Sequence, residues 1–116
     1  MITVYGIKNC DTVKKALRWL EDNSIEHQLH DYRTSGITAD FLHQAEAAFG
    51  WQNLVNKRST TWRNLSDEVK KTLSKDTALS LLLKQPTLIK RPIILQDDIA
   101  LIGFNEQDYR QRLLGN

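Results

Sequence analysis

Cys10, the only cysteine in the chain, is the residue with the clearest potential for chemistry. It lies between a short apolar stretch and a helical pattern, shortly after Gly6. A thiol at the start of a helix meets free backbone N–H groups and the positive end of the helix dipole, and both favour the thiolate. Lys8 adds a nearby positive charge. The sequence therefore predicts either a reactive thiol of lowered pKa or, because free cysteine is often buried, an inert packing residue.

The elements around Cys10 follow from hydrophobic periodicity. Apolar residues at i, i+3, i+4 and i+7 predict an amphipathic helix that begins at or just after the cysteine. Asn9 and Asp11 are both plausible N-cap residues for this helix. Strands are predicted at residues 2–5 and 25–32, so the first 32 residues have the size of a right-handed βαβ unit. His27 and His30 would face opposite sides of the second strand, which makes them a poor metal pair.

A mainly helical insertion is predicted at about residues 34–85. Three helix starts are marked by side chains that can cap free N–H groups, namely Thr38, Ser66, and Asp76 or Thr77. Gly50 ends the first of these helices, and Val69 and Leu73 are expected to face inward in the second. Residues 56–63 are polar and basic and contain Trp62.

Two strands and a helix are predicted to close the chain. Residues 88–95 are apolar and β-branched, but Pro92 cannot donate to a sheet and should mark a strand start, an edge or a bulge. A cis bond between Arg91 and Pro92 is one possibility. A hairpin turn precedes a strand at 99–102, and Asn105 caps a last helix. The order β-α-β, helical insertion, β-β-α predicts an α/β thioredoxin-like fold in a single domain, residues 1–116, with Cys10 at the ligand-binding end of the first strand.

Composition excludes several classes of function. The chain has 116 residues, 26% of them charged, and its net charge of +2 is too small to indicate a nucleic acid or an anionic membrane as partner. One cysteine and three histidines rule out a disulfide framework and a cysteine-rich zinc site. No membrane-spanning run and no leader are recognisable, so a cytoplasmic, reducing location is expected.

Three segments, residues 5–12, 57–60 and 88–94, resemble the glutaredoxin-type arsenate reductase family, which includes the ArsC, Spx and YffB branches. The resemblance runs from residue 2 to about residue 114. The run Gly-Ile-Lys-Asn-Cys-Asp-Thr, with Thr-Thr-Trp-Arg later, is most similar to the YffB branch. The resemblance implies a thioredoxin-like fold with a helical insertion, and it implies that Cys10 is a nucleophile.

The same resemblance implies a set of site residues. Arsenate reductases surround the cysteine with three arginines, and Arg58 and Arg91 correspond to two of them. The third would fall near Phe104, where this chain has no cation, so the case for holding an arsenic oxyanion is weakened. We assign catalytic roles to Cys10, Arg58 and Arg91. Substrate-binding or glutathione-binding roles are expected for Lys8, Asn9, Thr12 and Pro92.

The implied activity is a glutathione-dependent thiol oxidoreductase. Glutathione is the expected reducing co-substrate because no second cysteine can resolve a mixed disulfide. Glutaredoxin is a further candidate partner, and the substrate would be a small-molecule or protein disulfide. No metal, prosthetic group, nucleic acid or membrane is expected, and the protein should be a monomer.

Two alternatives remain open. One is arsenate reductase proper. The other is a non-enzymatic, Spx-like regulator that binds RNA polymerase, with the basic segment 57–63 as the partner surface. Val13 occupies the second position of the Cys-x-x-Cys pair found in redox-sensing Spx proteins, so an intramolecular disulfide cannot form here.

Overall fold

A four-stranded mixed sheet forms the centre of the first of two compact units, which comprises residues 1–35 and resumes at Arg91. Its strands are β1 (Ile2–Gly6), β2 (His27–Asp31), β3 (Ile93–Gln96) and β4 (Ile99–Ile102). The computed structural model describes residues 1–115. The spatial order is β2-β1-β3-β4, so β1 lies between its parallel partner β2 and the antiparallel strand β3.

The βαβ unit predicted for the first 32 residues is confirmed. Strands β1 and β2 pair in parallel from Ile2↔His27 to Gly6↔Asp31, and helix α1 (Asp11–Asp22) connects them. The expected N-cap, however, was wrong by one residue, because Cys10 itself occupies that position with an extended backbone (φ −109°, ψ 126°). Its carbonyl accepts the first helical hydrogen bond from the Lys14 N–H at 2.9 Å. The thiol therefore stands at the first turn of the helix.

After β2 the chain forms a single helical turn, α2 (Tyr32–Ser35), where the sequence predicted the end of a strand and a turn.

The apolar stripe of α1 packs on the sheet and on the closing helix. The buried cluster of this unit contains Val4, Ala16, Trp19, Leu20, Ile94, Leu101 and Tyr109. Burial of these side chains supplies the main favourable free energy that holds β1 and α1 together.

The second unit, Gly36–Lys90, is mainly helical. Its helices are α3 (Ala39–Phe49), α4 (Trp51–Leu54), α5 (Thr60–Arg63), α6 (Asp67–Lys71) and α7 (Lys75–Lys84). Thr38 and Ser66 cap α3 and α6 as predicted, and Gly50, at φ 84°, ends α3. The grouping of both units into one domain stays a prediction.

Two expectations for the second unit were wrong. Helix α6 has only five residues and ends before Leu73, and Val69 is 38% exposed rather than inward-facing. Helix α7 is capped by Ser74, earlier than the predicted Asp76 or Thr77. Ser74 accepts the N–H of Thr77 while the Thr77 hydroxyl accepts the N–H of Ser74, so Thr77 belongs to the cap without being its first residue.

Pro92 marks the start of a strand, one of the three positions that its sequence context allowed. Strand β3 begins only at Ile93, and the Arg91–Pro92 peptide bond is cis. The strand predicted at residues 88–95 therefore starts too early: Leu88 ends a 3-10 turn, Pro86–Leu88, and Ile89 forms only an isolated bridge with Val55. The β3–β4 hairpin turns at Asp97, with φ 52°. Asn105 caps the closing helix, α8 (Glu106–Tyr109), which continues as a π-helical segment, Arg110–Leu114. No helix within residues 1–115 is long and apolar enough to cross a membrane.

Candidate active site

The Cys10 thiol is partly exposed at the N-terminus of α1, where several donors act on its sulfur. Partial burial raises the thiol pKa. Hydrogen bonds from the Val13 N–H, the Arg91 side chain and the Thr12 N–H lower it, as does the charge of Arg91, and the net pKa lies below the ordinary value. Thr12 contributes through its backbone. The arrangement favours a thiolate, which is the nucleophilic form of cysteine.

Arg91 reaches the thiol because of where β3 begins. Strand β3 pairs with β1 through Tyr5↔Ile93, so the residues just before Ile93 lie at the carboxyl end of β1. The Arg91 Cβ lies 3.7 Å from the position that a Cβ on Gly6 would take. The cation that acts on the sulfur is thus Arg91, which is distant in sequence. Lys8, the nearby cation that the local sequence suggested, is exposed, and it is its backbone N–H that makes a contact, with Asp31.

The loop that carries Cys10 is tied to the end of β2 by Asp31. The Lys8 N–H donates to Asp31 Oδ2 at 3.0 Å, and the Arg33 N–H donates to Asp31 Oδ1 at 2.8 Å. Burial raises the pKa of the Asp31 carboxyl, but the N–H groups of Arg33, Lys8 and Thr34 and the charge of Arg33 lower it overall. The sequence interpretation missed Asp31. An aspartate at a strand end that precedes a helical turn is the signal that could have found it.

Tyr32 is a second residue that the sequence interpretation missed. Its side chain is 1% exposed, and its hydroxyl has no hydrogen-bond partner among residues 1–115. Burial raises the pKa of this hydroxyl, against the opposing effect of the Arg91 charge, so the hydroxyl stays protonated.

Among the residues expected to bind substrate, Pro92 is buried and Asn9 is exposed. The binding roles expected for Lys8, Asn9, Thr12 and Pro92 stay predictions.

Arg58 lies in the second unit, in a turn before α5. It is exposed, and its N–H donates to Asn56 Oδ1 at 3.1 Å. Ser59 caps α5 by accepting the Trp62 N–H, and the ammonium groups of Lys57 and Lys70 lie 5.7 and 5.5 Å from the Trp62 ring centre. The predicted convergence of Arg58 on the thiol stays a prediction.

Phe104 occupies the region where the third arginine of arsenate reductases was expected. Its ring packs edge-on against Tyr109, with 4.9 Å between the ring centres and 81° between the planes. Tyr109 in turn meets Trp19 edge-on at 5.7 Å and donates its hydroxyl to the Gly103 carbonyl at 2.7 Å. Phe104 is therefore part of the aromatic packing of the first unit.

Within residues 1–115, no group of three or more His, Cys, Asp or Glu side chains is arranged so that it could hold a metal ion. His27 Nδ1 lies 2.8 Å from the Ile25 carbonyl oxygen. The ring of His30 packs against the Tyr5 ring, with centres 4.8 Å apart. Both histidines therefore have local packing or hydrogen-bonding partners.

The fold is thioredoxin-like, because it consists of a βαβ unit, an antiparallel hairpin and a closing helix. Its single thiol lies at the N-terminus of the first helix, and a cis proline precedes β3. The sequence profile of the ArsC family matches residues 5–112, and the chain belongs to this family. The family predicted from the sequence motifs is thereby confirmed.

Three relatives show the range of this similarity. An uncharacterized protein of Haemophilus influenzae is 71% identical over 110 residues, which cover 95% of this chain and 96% of the relative. The global transcriptional regulator Spx of Streptococcus pyogenes is 31% identical over 113 residues, covering 95% and 83%. A solved structure described as the YFFB protein superposes with a TM-score of 0.92 at 38% identity, covering 97% of this chain and 99% of that one.

Proposed function

We propose that this protein is a glutathione-dependent thiol oxidoreductase with Cys10 as its nucleophile. The observation that carries the proposal is the partly exposed sulfur at a helix N-terminus, on which two backbone N–H groups and the Arg91 guanidinium act. Structural cysteines are usually inert because they are buried away from such donors. Membership of the ArsC family is consistent with this proposal, because the resemblance of the sequence to that family implied the same thiol chemistry.

The proposed reaction is an exchange between sulfur atoms. The Cys10 thiolate attacks the glutathione sulfur of a mixed disulfide formed by glutathione and a small thiol or a protein. A Cys10–glutathione disulfide forms, the substrate disulfide breaks, and the substrate leaves as a thiolate that takes a proton from water. A second glutathione thiolate then attacks the glutathione sulfur of this intermediate, which releases glutathione disulfide and the Cys10 thiolate. Glutaredoxin could act in place of the second glutathione.

The site residues have separate roles in this exchange. Arg91 stabilises the Cys10 thiolate both as nucleophile and as leaving group, and the Thr12 N–H assists through the backbone. Arg58 would bind a glutathione carboxylate, because guanidinium pairs with carboxylates in a bidentate geometry. Lys8, Asn9, Thr12 and Pro92 would contact the glutathione backbone. No metal, prosthetic group, nucleic acid or membrane takes part, and the setting is a cytoplasmic monomer.

A Spx-like regulator that binds RNA polymerase is the second candidate function, and the similarity to a transcriptional regulator supports it. In that case the thiol is incidental and the basic segment at residues 57–63 meets the partner. Arsenate reduction has weaker support, because Phe104 occupies the expected cation position as a packing residue. An arsenic oxyanion would then be held by fewer arginines than in arsenate reductases.

The first experiment measures the reaction of Cys10 with glutathione disulfide near neutral pH by intact mass. The urea-unfolded chain at the same pH is the reference. We expect the folded protein to react faster, Arg91→Ala to slow it by about tenfold or more, and Arg18→Ala, a change at an exposed arginine of α1, to leave it unchanged. A folded protein that reacts more slowly than the unfolded chain would contradict the enzyme proposal.

Cys10→Ser separates the two candidate functions. As an enzyme, the protein loses all activity in this variant. As a regulator, it keeps its affinity for RNA polymerase, which can be measured with the purified polymerase.

A further inference from the structure

The buried hydroxyl of Tyr32 is the feature that the proposed mechanism leaves unused. It has no hydrogen-bond partner among the described residues, although its side chain is 1% exposed. Burying a hydroxyl without a partner is unfavourable, and buried polar groups are usually paired. Tyr109 illustrates the ordinary situation in this chain, since its buried hydroxyl donates to the Gly103 carbonyl at 2.7 Å.

Tyr32 and Arg91 lie at the same end of the sheet, the end that carries the thiol. It directly follows Asp31, which pairs with Gly6, and the Arg91 Cβ lies 3.7 Å from the position of a Cβ on Gly6. The Arg91 charge acts on the Tyr32 hydroxyl as well as on the Cys10 sulfur. Arg91 is thus close to an anionic acceptor, the thiolate, and to a neutral one, the Tyr32 oxygen.

Formation of a disulfide at Cys10 changes what Arg91 has to stabilise. The thiolate is an anion that accepts a charge-assisted hydrogen bond, whereas a disulfide sulfur is neutral and a weak acceptor. A partly buried guanidinium that loses an anionic partner is stabilised by any oxygen that can replace it. The Tyr32 oxygen has its acceptor positions available, and it stays neutral because burial disfavours the phenolate.

We propose that Tyr32 is a positioning residue that accepts a hydrogen bond from Arg91 when Cys10 is in a disulfide, and so stabilises the mixed-disulfide state. In the reduced protein Arg91 stays with the thiolate and the Tyr32 hydroxyl remains unpaired. The physiological importance of this exchange of partners rests on the proposed function. The exchange itself requires only that Cys10 can form a disulfide.

The test uses the full chain in a redox buffer of 2-mercaptoethanol and its disulfide, which is small, uncharged and unrelated to glutathione. The Cys10 thiolate attacks one sulfur of the reagent disulfide, a protein–reagent disulfide forms, and the other half leaves as the thiolate. Intact mass gives the ratio of the two protein forms, and from it the equilibrium constant for exchange. Tyr32→Phe removes only the hydroxyl, and Tyr109→Phe is the matched control.

We expect Tyr32→Phe to lower the equilibrium constant for disulfide formation about tenfold, as loss of a hydrogen bond to a charged group should. Tyr109→Phe should change it by less than about twofold, because the Tyr109 hydroxyl is bonded to a backbone carbonyl that the redox state does not alter. An unchanged or increased constant in Tyr32→Phe would overturn the proposal. In an Arg91→Ala background the effect of Tyr32→Phe should disappear, and its persistence would also overturn the proposal.

Urea unfolding of both redox forms distinguishes positioning from simple packing. Reduced Tyr32→Phe should unfold at or above the urea midpoint of the wild type, because an unpaired hydroxyl has been removed. The disulfide form of the same variant should unfold below the wild-type disulfide form. Equal shifts in both forms would mean that Tyr32 only packs. These measurements remain possible if Cys10 fails to react preferentially with glutathione disulfide, so a failure of the proposed function would be recognised separately.

Discussion

Gly6 and Val13 are in such close contact that a Cβ on Gly6 would lie 2.8 Å from Val13 Cγ2. Gly6 ends β1, and Val13, which is fully buried, is the first inward-facing residue of α1. The Cys10 loop spans the short distance between these two elements. The absence of a side chain at Gly6 therefore allows the strand and the helix to approach closely and sets the position of the thiol.

Gly6→Ala should destabilise the protein because the added methyl group must displace the buried Val13 side chain. We expect the free energy of unfolding to fall by about 1–3 kcal/mol, the usual range for overpacking a well-packed core. Urea denaturation measures this loss. In the double variant with Val13→Ala the two losses should be less than additive, because the clash is relieved. Additive losses would show that the two side-chain positions do not interact.

The stability of the reduced protein should depend on pH through Cys10. Its thiol pKa is lowered in the folded state, so ionisation stabilises the fold. The contribution is absent below the folded-state pKa, grows as the pH rises, and is complete above the unfolded value of about 8.5. The measurement is the difference in unfolding free energy between the wild type and Cys10→Ser across this window. We expect that difference to shift in favour of the wild type as the pH rises.

Arg91→Ala should flatten this pH dependence because it removes both a hydrogen bond and a positive charge from the thiolate. Arg18→Ala removes an exposed arginine from the same helix as the thiol and should leave the curve unchanged. Thiolate absorbance titration provides an independent check on the same variants. If the wild type lost stability relative to Cys10→Ser as the pH rose, the thiol pKa would have to be raised by folding, contrary to the structure.

Local sequence patterns predicted those parts of the site whose position depends on a single helix or strand. The stripe that includes Val13 and Ala16 predicted α1, and a strand start was one of the three roles that the sequence left open for Pro92. The N-cap was missed because Asn9 and Asp11 have the stronger intrinsic preference, whereas Cys10 occupies this position without a side-chain capping hydrogen bond.

Two features that depend on distant elements were not predicted from the sequence. The burial of Tyr32 depends on the pairing of β2 with β1, and the proximity of Tyr32 to Arg91 depends on the pairing of β3 with β1. Neither leaves a periodic signal in the sequence. In the second unit, Val69 matched an inward-facing position by spacing alone, but a helix of five residues ends too early to bury it.

Arg58→Ala tests whether the second unit contributes to glutathione binding. If Arg58 binds a glutathione carboxylate, its loss should raise the half-saturating glutathione concentration by about tenfold, because charge-assisted pairs are among the stronger hydrogen bonds. Arg63→Ala, a change at another exposed arginine of the same basic segment, is the control and should have little effect. Equal, small effects of both changes would leave Arg58 as an ordinary surface residue and remove it from the proposed site.

Phe104→Arg tests whether the position expected for a third arginine can accept one in this chain. The Phe104 ring packs edge-on against Tyr109 in the first unit, so replacing it with a charged side chain should lower the free energy of unfolding by about 1–3 kcal/mol. Phe104→Leu keeps an apolar side chain and loses only the aromatic geometry, so its loss should be about 0.5–1.5 kcal/mol. If Phe104→Arg were as stable as the wild type, the ring would not be needed for packing, and the absence of a cation there would have to be explained by the chemistry of the substrate.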